Sequence, residues 1–378
     1  DNVLVADASV GSITTGSGND VIKLSGGQNS VRLNLSEGKG DDWEYSDVDI
    51  YGYASVNAGS GDDIITLAGT VDLTTRGYGN YSYSYGSGFG YGYISAGDGN
   101  DTIDASNTTA VKELSGGNGD DIIYGAQEYT RSLHGGAGDD IIQFSKGQIA
   151  RNEYSYISGG EGNDTITSST ILGSNKNYIY GGYGDDIINA GDGNYSIYGD
   201  TWVTRTYIDQ ERYYEGEYLE GGNDTITSGA GNDSIWGGYG DDIINAGDGD
   251  NKVYGGDGSD SLTGGSGVDH LEGGEGNDIF QGNGGNDIYY GYAQNAVDSN
   301  TSAVDTLILS GAHSDYEISR VSNDIFGYGY YISDVGSGYS DGVDTLYSIN
   351  QLQFSDLTLS TESFYEGSKG KSSGNDSL

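Results

Sequence analysis

Along the stretch from Ala230 to Tyr290 an apolar residue recurs at every ninth position, at Ile244, Val253, Leu262, Leu271, Phe280 and Tyr289. Written in nines from Gly237, the chain reads GGYGDDIIN, AGDGDNKVY, GGDGSDSLT, GGSGVDHLE, GGEGNDIFQ and GNGGNDIYY. Each unit opens on glycine or alanine, has glycine fourth in most cases, and places a carboxylate or an amide sixth. Side chains of a strand alternate between faces, so the eighth residue enters a narrow core while its neighbours point outward. Glycines permit the positive φ values of a tight turn and let backbone groups crowd where a Cβ would intrude. A nine-residue period filled in this way predicts short strands and glycine turns stacked as a parallel β-helix.

The same turn recurs upstream at wider spacing, as TGSGNDVI, EGKGDDWE, AGSGDDII, AGDGNDTI, GGNGDDII, GGAGDDII, GGEGNDTI and GGYGDDII. Its sixth-position residues there are Asp20, Asp42, Asp63, Asp101, Asp121, Asp140, Asp164 and Asp186. Between these turns lies a second apolar strand, seen as SVRLNL, YASVNA, GYISA, KELSG, RSLHG, YSYISG and NYIYG. Extra residues fall before that second strand, on the side opposite the aspartates, which is where a solenoid accommodates insertions. Counting in eighteens places Asp224, Asp242, Asp260 and Asp278 in the row begun by Asp20. The opposite row carries Tyr195, Asp233, Asn251, Asp269 and Asp287. One continuous row and one interrupted row are therefore expected.

Recurrence of the carboxylates in phase with the glycines points to a metal. Calcium takes six to eight hard oxygen ligands, which aspartates and backbone carbonyls supply. These repeats resemble the RTX family, secreted bacterial proteins with hemolysin-type GGxGxDxUx repeats. The resemblance implies an all-β, right-handed parallel β-roll in which two units make one coil and several Ca2+ ions lie between equivalent turns. Each ion would take two sixth-position carboxylates from adjacent coils together with turn carbonyls, so all the aspartates named above are candidate ligands. Fifth-position side chains such as Asp41, Asp120 and Asn277 would add contacts. Such sites belong to the weak extracellular class, with dissociation constants of roughly 10⁻⁴–10⁻³ M.

Beyond Gly291 the nines stop, and VDTLILSG, DYEISRV, YYISDV and GVDTLYSINQLQFSD alternate apolar and polar residues as half-buried strands do. The expected organisation is a β-roll over 1–290 with Tyr/Gly-rich insertions, largest at 70–93 and 199–220. A β-rich capping module follows over 291–365, and 366–378 form a flexible tail or the start of a further repeat block. A cap is required because an open coil end exposes unpaired backbone groups and core. The missing initiator Met and the truncated repeat at the end mark the chain as a segment of something longer.

Charge sharpens the metal argument. The 378 residues carry a net charge of −43 and only 34% hydrophobic residues, so the metal-free chain repels itself around a thin core. Calcium that binds the folded state alone converts its binding energy into folding energy. The absence of cysteine excludes a disulfide framework, and with few histidines it disfavours zinc. An acidic field repels phosphate, which argues against nucleic acid, and no apolar run is long enough for membrane insertion.

Enzymatic signals are poor. GYSDG at 338–342 fits G-x-S-x-G without the strand and helix that a nucleophile elbow needs. His134, His270 and His313 form no metalloprotease motif. The 34 tyrosines, dense in the loop run Tyr78–Tyr93, offer large contact area at low entropy cost. They suit self-association, contact with neighbouring subunits, or a cell-surface polysaccharide. The expected role is a secreted, non-enzymatic building block of an extracellular filament, surface layer or adhesin on a bacterial cell, oscillin-like and exported by type I secretion. The alternatives are the folding and secretion domain of an RTX toxin, protease or lipase, and a carbohydrate-binding surface module.

Overall fold

The computed structural model describes residues 3–6, 13–14, 21–25, 31–34, 43–47, 54–60, 64–69, 92–108, 110–126, 129–144, 155–169, 177–200, 221–292, 303–323, 327–335, 342–361 and 364. Side chains are described from Ile94 onward. The insertions at 70–91 and 201–220, the tail 366–378, and the candidate ligands Asp20, Asp42 and Asp63 lie outside the described residues.

The chain is a parallel β-solenoid that divides into two compact units, Asp1–Asp192 and Gly193–Leu378. The stacked coils of each unit have the same construction, in which consecutive strands alternate between two sheets and each pairs in parallel with the equivalent strand of the next coil. In the N-terminal unit the first sheet stacks Val3–Ala6, Val21–Ser25, Trp43–Asp47, Ile64–Gly69, Thr102–Thr108, Ile122–Tyr124, Ile141–Phe144, Thr165–Ser168 and Ile187–Asn189. Its second sheet stacks Ile13–Thr14, Val31–Asn34, Ala54–Ser60, Gly92–Asp98, Ala110–Asn118, Tyr129–Ala137, Ser155–Glu161 and Asn177–Tyr183. These second-sheet strands coincide with the second apolar strands expected from the sequence.

The C-terminal unit has the same pattern, with one coil per eighteen residues between Thr225 and Tyr290. Ile226, Ile244, Leu262, Phe280, Leu307 and Leu352 stand in register in its first sheet, and Ile197, Ile235, Val253, Leu271, Tyr289 and Leu346 in its second. All twelve side chains are buried, each column stacking one apolar residue per coil. Parallel stacking runs past Gly291, because Thr306–Ile308 and Val343–Tyr347 pair in parallel with the repeat strands before them. Antiparallel strands then close each sheet. Thr358–Ser360 lies on Gln351–Gln353, while Tyr316–Asn323 pairs with Gly327–Asp334, which lies on Val343–Tyr347. These additions pair backbone edges that a parallel stack would otherwise leave open.

The strand period assigns neighbouring residues to opposite fates. Ile244 is 0% exposed and Ile243, one residue earlier, is 56% exposed. Replacing Ile244 with Ala should cost about 2–5 kcal/mol through lost burial and a residual cavity. Ile243→Ala should stay within about 0.5 kcal/mol. Urea denaturation of both variants at saturating calcium measures the difference.

Candidate calcium sites in the turn rows

Three glycines open a typical repeat, and they are there for two different reasons. The second and fourth hold positive φ, as in Gly238 at 129°, Gly240 at 102°, Gly256 at 129° and Gly258 at 141°, a region that side chains rarely adopt. Where the second position is not glycine it is Asn283, at φ 76°, and asparagine tolerates this region better than most residues. The first glycine needs no such backbone conformation. A Cβ on Gly116, Gly135, Gly159, Gly237, Gly255 or Gly273 would overlap the Oδ2 atom of the sixth-position aspartate in the same repeat. First-position glycine therefore clears space around a carboxylate oxygen.

The carboxylates themselves are buried. Asp101, Asp121, Asp140, Asp164 and Asp186 in the N-terminal unit, and Asp224, Asp242, Asp260 and Asp278 in the C-terminal unit, are each 1% exposed or less. Their Oδ1 atoms form a ladder by accepting the backbone N–H of the sixth residue one coil earlier. Asp101 N donates to Asp121 at 2.7 Å, Asp121 to Asp140 at 2.7 Å, Asp140 to Asp164 at 2.8 Å and Asp164 to Asp186 at 2.7 Å. In the other unit Asp224 N donates to Asp242 at 2.7 Å, Asp242 to Asp260 at 2.9 Å and Asp260 to Asp278 at 3.0 Å. The fifth position builds a second ladder running the opposite way. Asp139 N donates to Oδ1 of Asp120 at 2.9 Å and Asn163 N to Asp139 at 2.7 Å, as Val304 N does to Asn277 at 2.7 Å. Adjacent coils are thus clamped from both sides of each turn.

The second carboxylate oxygen is the telling atom. Oδ2 of Asp121, Asp140, Asp164, Asp242, Asp260, Asp269 and Asp278 is buried and accepts no hydrogen bond. Burying a charge without a partner is costly, and the usual consequence is a raised pKa. Burial pushes Asp121 up to about 7, Asp140 to about 8, Asp242 to about 9, Asp260 to about 7 and Asp278 to about 8. Backbone hydrogen bonds pull each of these back, and neighbouring aspartates such as Asp224 and Asp260 around Asp242 push further up. A buried file of hard oxygens, cleared by glycine and lacking hydrogen-bond donors, fits a hard divalent cation. When bound, calcium supplies the positive charge that these carboxylates otherwise lack.

The interrupted row of the C-terminal unit is satisfied differently. Its Oδ1 ladder is intact, from Tyr195 N to Asp233 at 2.7 Å, Asp233 N to Asn251 at 3.0 Å, Asn251 N to Asp269 at 2.9 Å and Asp269 N to Asp287 at 2.9 Å. Ser228 replaces the first glycine of its repeat, and its hydroxyl donates to Oδ2 of Asp233. Tyr289 is fully buried and donates from its hydroxyl to Oδ2 of Asp287 at 3.2 Å.

Sequence reasoning missed several members of these rows. Asp305 accepts Asp278 N at 3.1 Å, Asn350 accepts Asp305 N at 2.8 Å, and Asp344 accepts Asp287 N at 2.9 Å, which carries both ladders beyond the repeats. The signal was present, since VDTL at 304–307 and 343–346 repeats the VDHL of 268–271. Asp200 had no such signal. Where the turn before Asp224 is shortened, its carboxylate accepts N–H bonds from Gly222 at 3.2 Å and Tyr239 at 2.6 Å.

Parallel coils with buried aspartate ladders at their glycine turns define a calcium-binding repeat protein. A model of the RTX calcium-binding nonapeptide repeat matches residues 5–34, 93–107, 113–127, 132–148, 155–169, 173–200, 218–253, 236–271 and 263–297. These segments cover about half of the chain, and the chain belongs to that family, whose repeats bind several Ca2+ ions and whose members are generally secreted. No curated protein matches the chain. No helix among the described residues is long and apolar enough to cross a membrane.

Burial holds the carboxyls of Asp121, Asp140, Asp242 and Asp278 well above the ordinary aspartate value of 3.8. Their contribution to metal-free stability is therefore fully present below about pH 4 and lost as pH rises through about 7 to 9. In chelator the chain, unfolded at pH 8, should gain β structure as the pH is lowered to 5, which circular dichroism records. Calcium binding near neutral pH should release protons, which a weakly buffered indicator titration records. Gly255→Ala should cost about 1–3 kcal/mol from overpacking against Asp260 and weaken calcium binding, both read from a calcium titration followed by circular dichroism.

Proposed function

We propose that this chain is a building-block segment of a secreted extracellular filament, surface layer or adhesin, and that it folds when it meets calcium outside the cell. The observation that carries this reading is the file of buried carboxylates whose Oδ2 atoms accept no hydrogen bond, in a chain of net charge −43. Few arrangements are less suited to folding without a counter-cation. Where calcium is scarce, as inside the producing cell, the chain stays unfolded and suits export through a narrow type I channel. At extracellular calcium the two units become rigid coils. We assign the ions to Asp101, Asp121, Asp140, Asp164, Asp186, Asp224, Asp242, Asp260, Asp269 and Asp278, and by continuity of the pattern to Asp20, Asp42 and Asp63.

A scaffold role is supported by what the outer faces present. Tyr198, Trp236 and Tyr254 stack across successive coils, with ring centroids 4.6 and 5.4 Å apart and planes within 7° of parallel. This aromatic strip on the second sheet suits contact with a neighbouring subunit, or with a glycan in the carbohydrate-binding reading. Catalysis draws no comparable support. His134 hydrogen-bonds to Ser132, His270 packs between Tyr254 and Tyr290, and His313 sits edge-on to Phe354, each in an aromatic setting of its own.

Calcium titration of the isolated chain, followed by far-UV circular dichroism and sedimentation, tests the reading. A cooperative coil-to-β transition near millimolar calcium, with growth into filaments or sheets, is the expected result. A transition to a compact monomer favours the secretion-domain alternative. Persistence of β structure after thorough chelation overturns the calcium-dependent role.

A further inference from the structure

The two turn rows of the C-terminal unit carry the same backbone ladder and differ in how the remaining polar atoms are satisfied. In the first row Asp242, Asp260 and Asp278 each have a first-position glycine and a buried Oδ2 that accepts no hydrogen bond. In the second row the corresponding atoms at two successive turns find hydrogen-bond partners within the chain. Ser228 occupies the first position of its repeat, is 5% exposed, and directs its hydroxyl at Oδ2 of Asp233, which is 1% exposed. One coil on, Asn251 stands where other repeats have aspartate and is also 1% exposed. Its Oδ1 accepts Asp233 N, which leaves Nδ2 facing its own turn, where it donates to the carbonyls of Gly247 at 3.3 Å and Gly249 at 3.2 Å. An amide carries both a donor and an acceptor, so Asn251 serves the ladder and the turn carbonyls together. A carboxylate at this position could only accept.

We propose that Ser228 and Asn251 make a calcium-independent seam in the second row, in which a hydroxyl and an amide take the place of a cation. The inference rests on the assignment of calcium to the buried aspartates and narrows it. Calcium occupies the first row throughout the unit but enters the second row only from Asp269, whose Oδ2 is buried and accepts no hydrogen bond. The seam needs no metal to hold its coils together. It therefore forms at lower calcium than the rest of the unit and gives the remaining coils an edge on which to stack. Substitution of Asn for Asp at 251 is thus a specificity element, and Ser228 is its partner one coil earlier.

Three conservative variants of the full chain test this, with bound calcium counted by equilibrium dialysis and folding monitored by circular dichroism at saturating calcium. Asp233→Asn should leave the number of bound ions unchanged, whereas Asp260→Asn should lose at least one ion. Asn251→Asp, which supplies a carboxylate and removes the donor to Gly247 and Gly249, should gain an ion and shift the calcium midpoint for folding upward. An Asp233→Asn variant that loses calcium as Asp260→Asn does overturns the seam, as does a folded Asn251→Asp variant with an unchanged ion count. Should Asp233→Asn or Asp260→Asn fail to fold, the ion count of Asn251→Asp decides alone, and its own failure to fold at saturating calcium counts against the proposal. A wild-type chain that binds no calcium fails the underlying assignment instead, so the two failures are distinct.

Discussion

A carboxylate removed from water without a positive partner is the constraint on which this protein depends. The first-row aspartates from Asp121 to Asp186 and from Asp242 to Asp278 use one oxygen to hold the backbone of the preceding coil, and at Asp121, Asp140, Asp164, Asp242, Asp260 and Asp278 the other is buried without a donor. Ordinary cores avoid such atoms, because the desolvation of an unpaired charge exceeds what one hydrogen bond returns. Here they recur coil after coil. Among the described residues the apolar core is thin, built mainly on a column of single Ile, Leu, Val and aromatic side chains in each sheet. A cation that binds only the folded state would stabilise a fold with so thin a core and so many buried acids, which is the basis of the calcium-dependent folding proposed above.

The turn chemistry follows from the same constraint. Glycine at the first position clears room for a carboxylate oxygen, whereas glycine at the second and fourth answers to backbone conformation. Fifth-position residues, which the family resemblance offered as additional metal contacts, accept N–H groups from the next coil in the described turns. Their direction opposes that of the sixth-position ladder, so two files of side chains cross-link adjacent coils in the described turns. Sliding one coil by a residue would break both files at once, which ties register to the turns as firmly as to the core.

Departures from the consensus carry information because the rest of the pattern is so regular. Ser228 and Asn251 replace a space-making glycine and a carboxylate with groups that can donate, and the second row closes on itself there. Tyr289 brings a hydroxyl to Asp287 while filling the core against Phe280, with ring centroids 6.0 Å apart. Asp200 repairs the shortened turn before Asp224 from a strand in the same unit.

The sequence alone determined the parallel coil, the two sheets, the alternation of buried and exposed residues and the two files of aspartates. Each of these is a local periodicity, and a strict repeat forces equivalent residues into register. Tertiary structure alone decided which polar atoms acquire partners. The nine-residue period places Asp233 and Asp242 in equivalent positions, yet one meets a hydroxyl and the other a glycine's empty space. At Asp305 and Asp344 the motif VDTL repeats the earlier VDHL, yet the coil that each joins depends on strands brought alongside from 27 and 57 residues away. Partnership across coils is a property of three-dimensional stacking, and spacing along the chain carries no record of it once the repeat is interrupted.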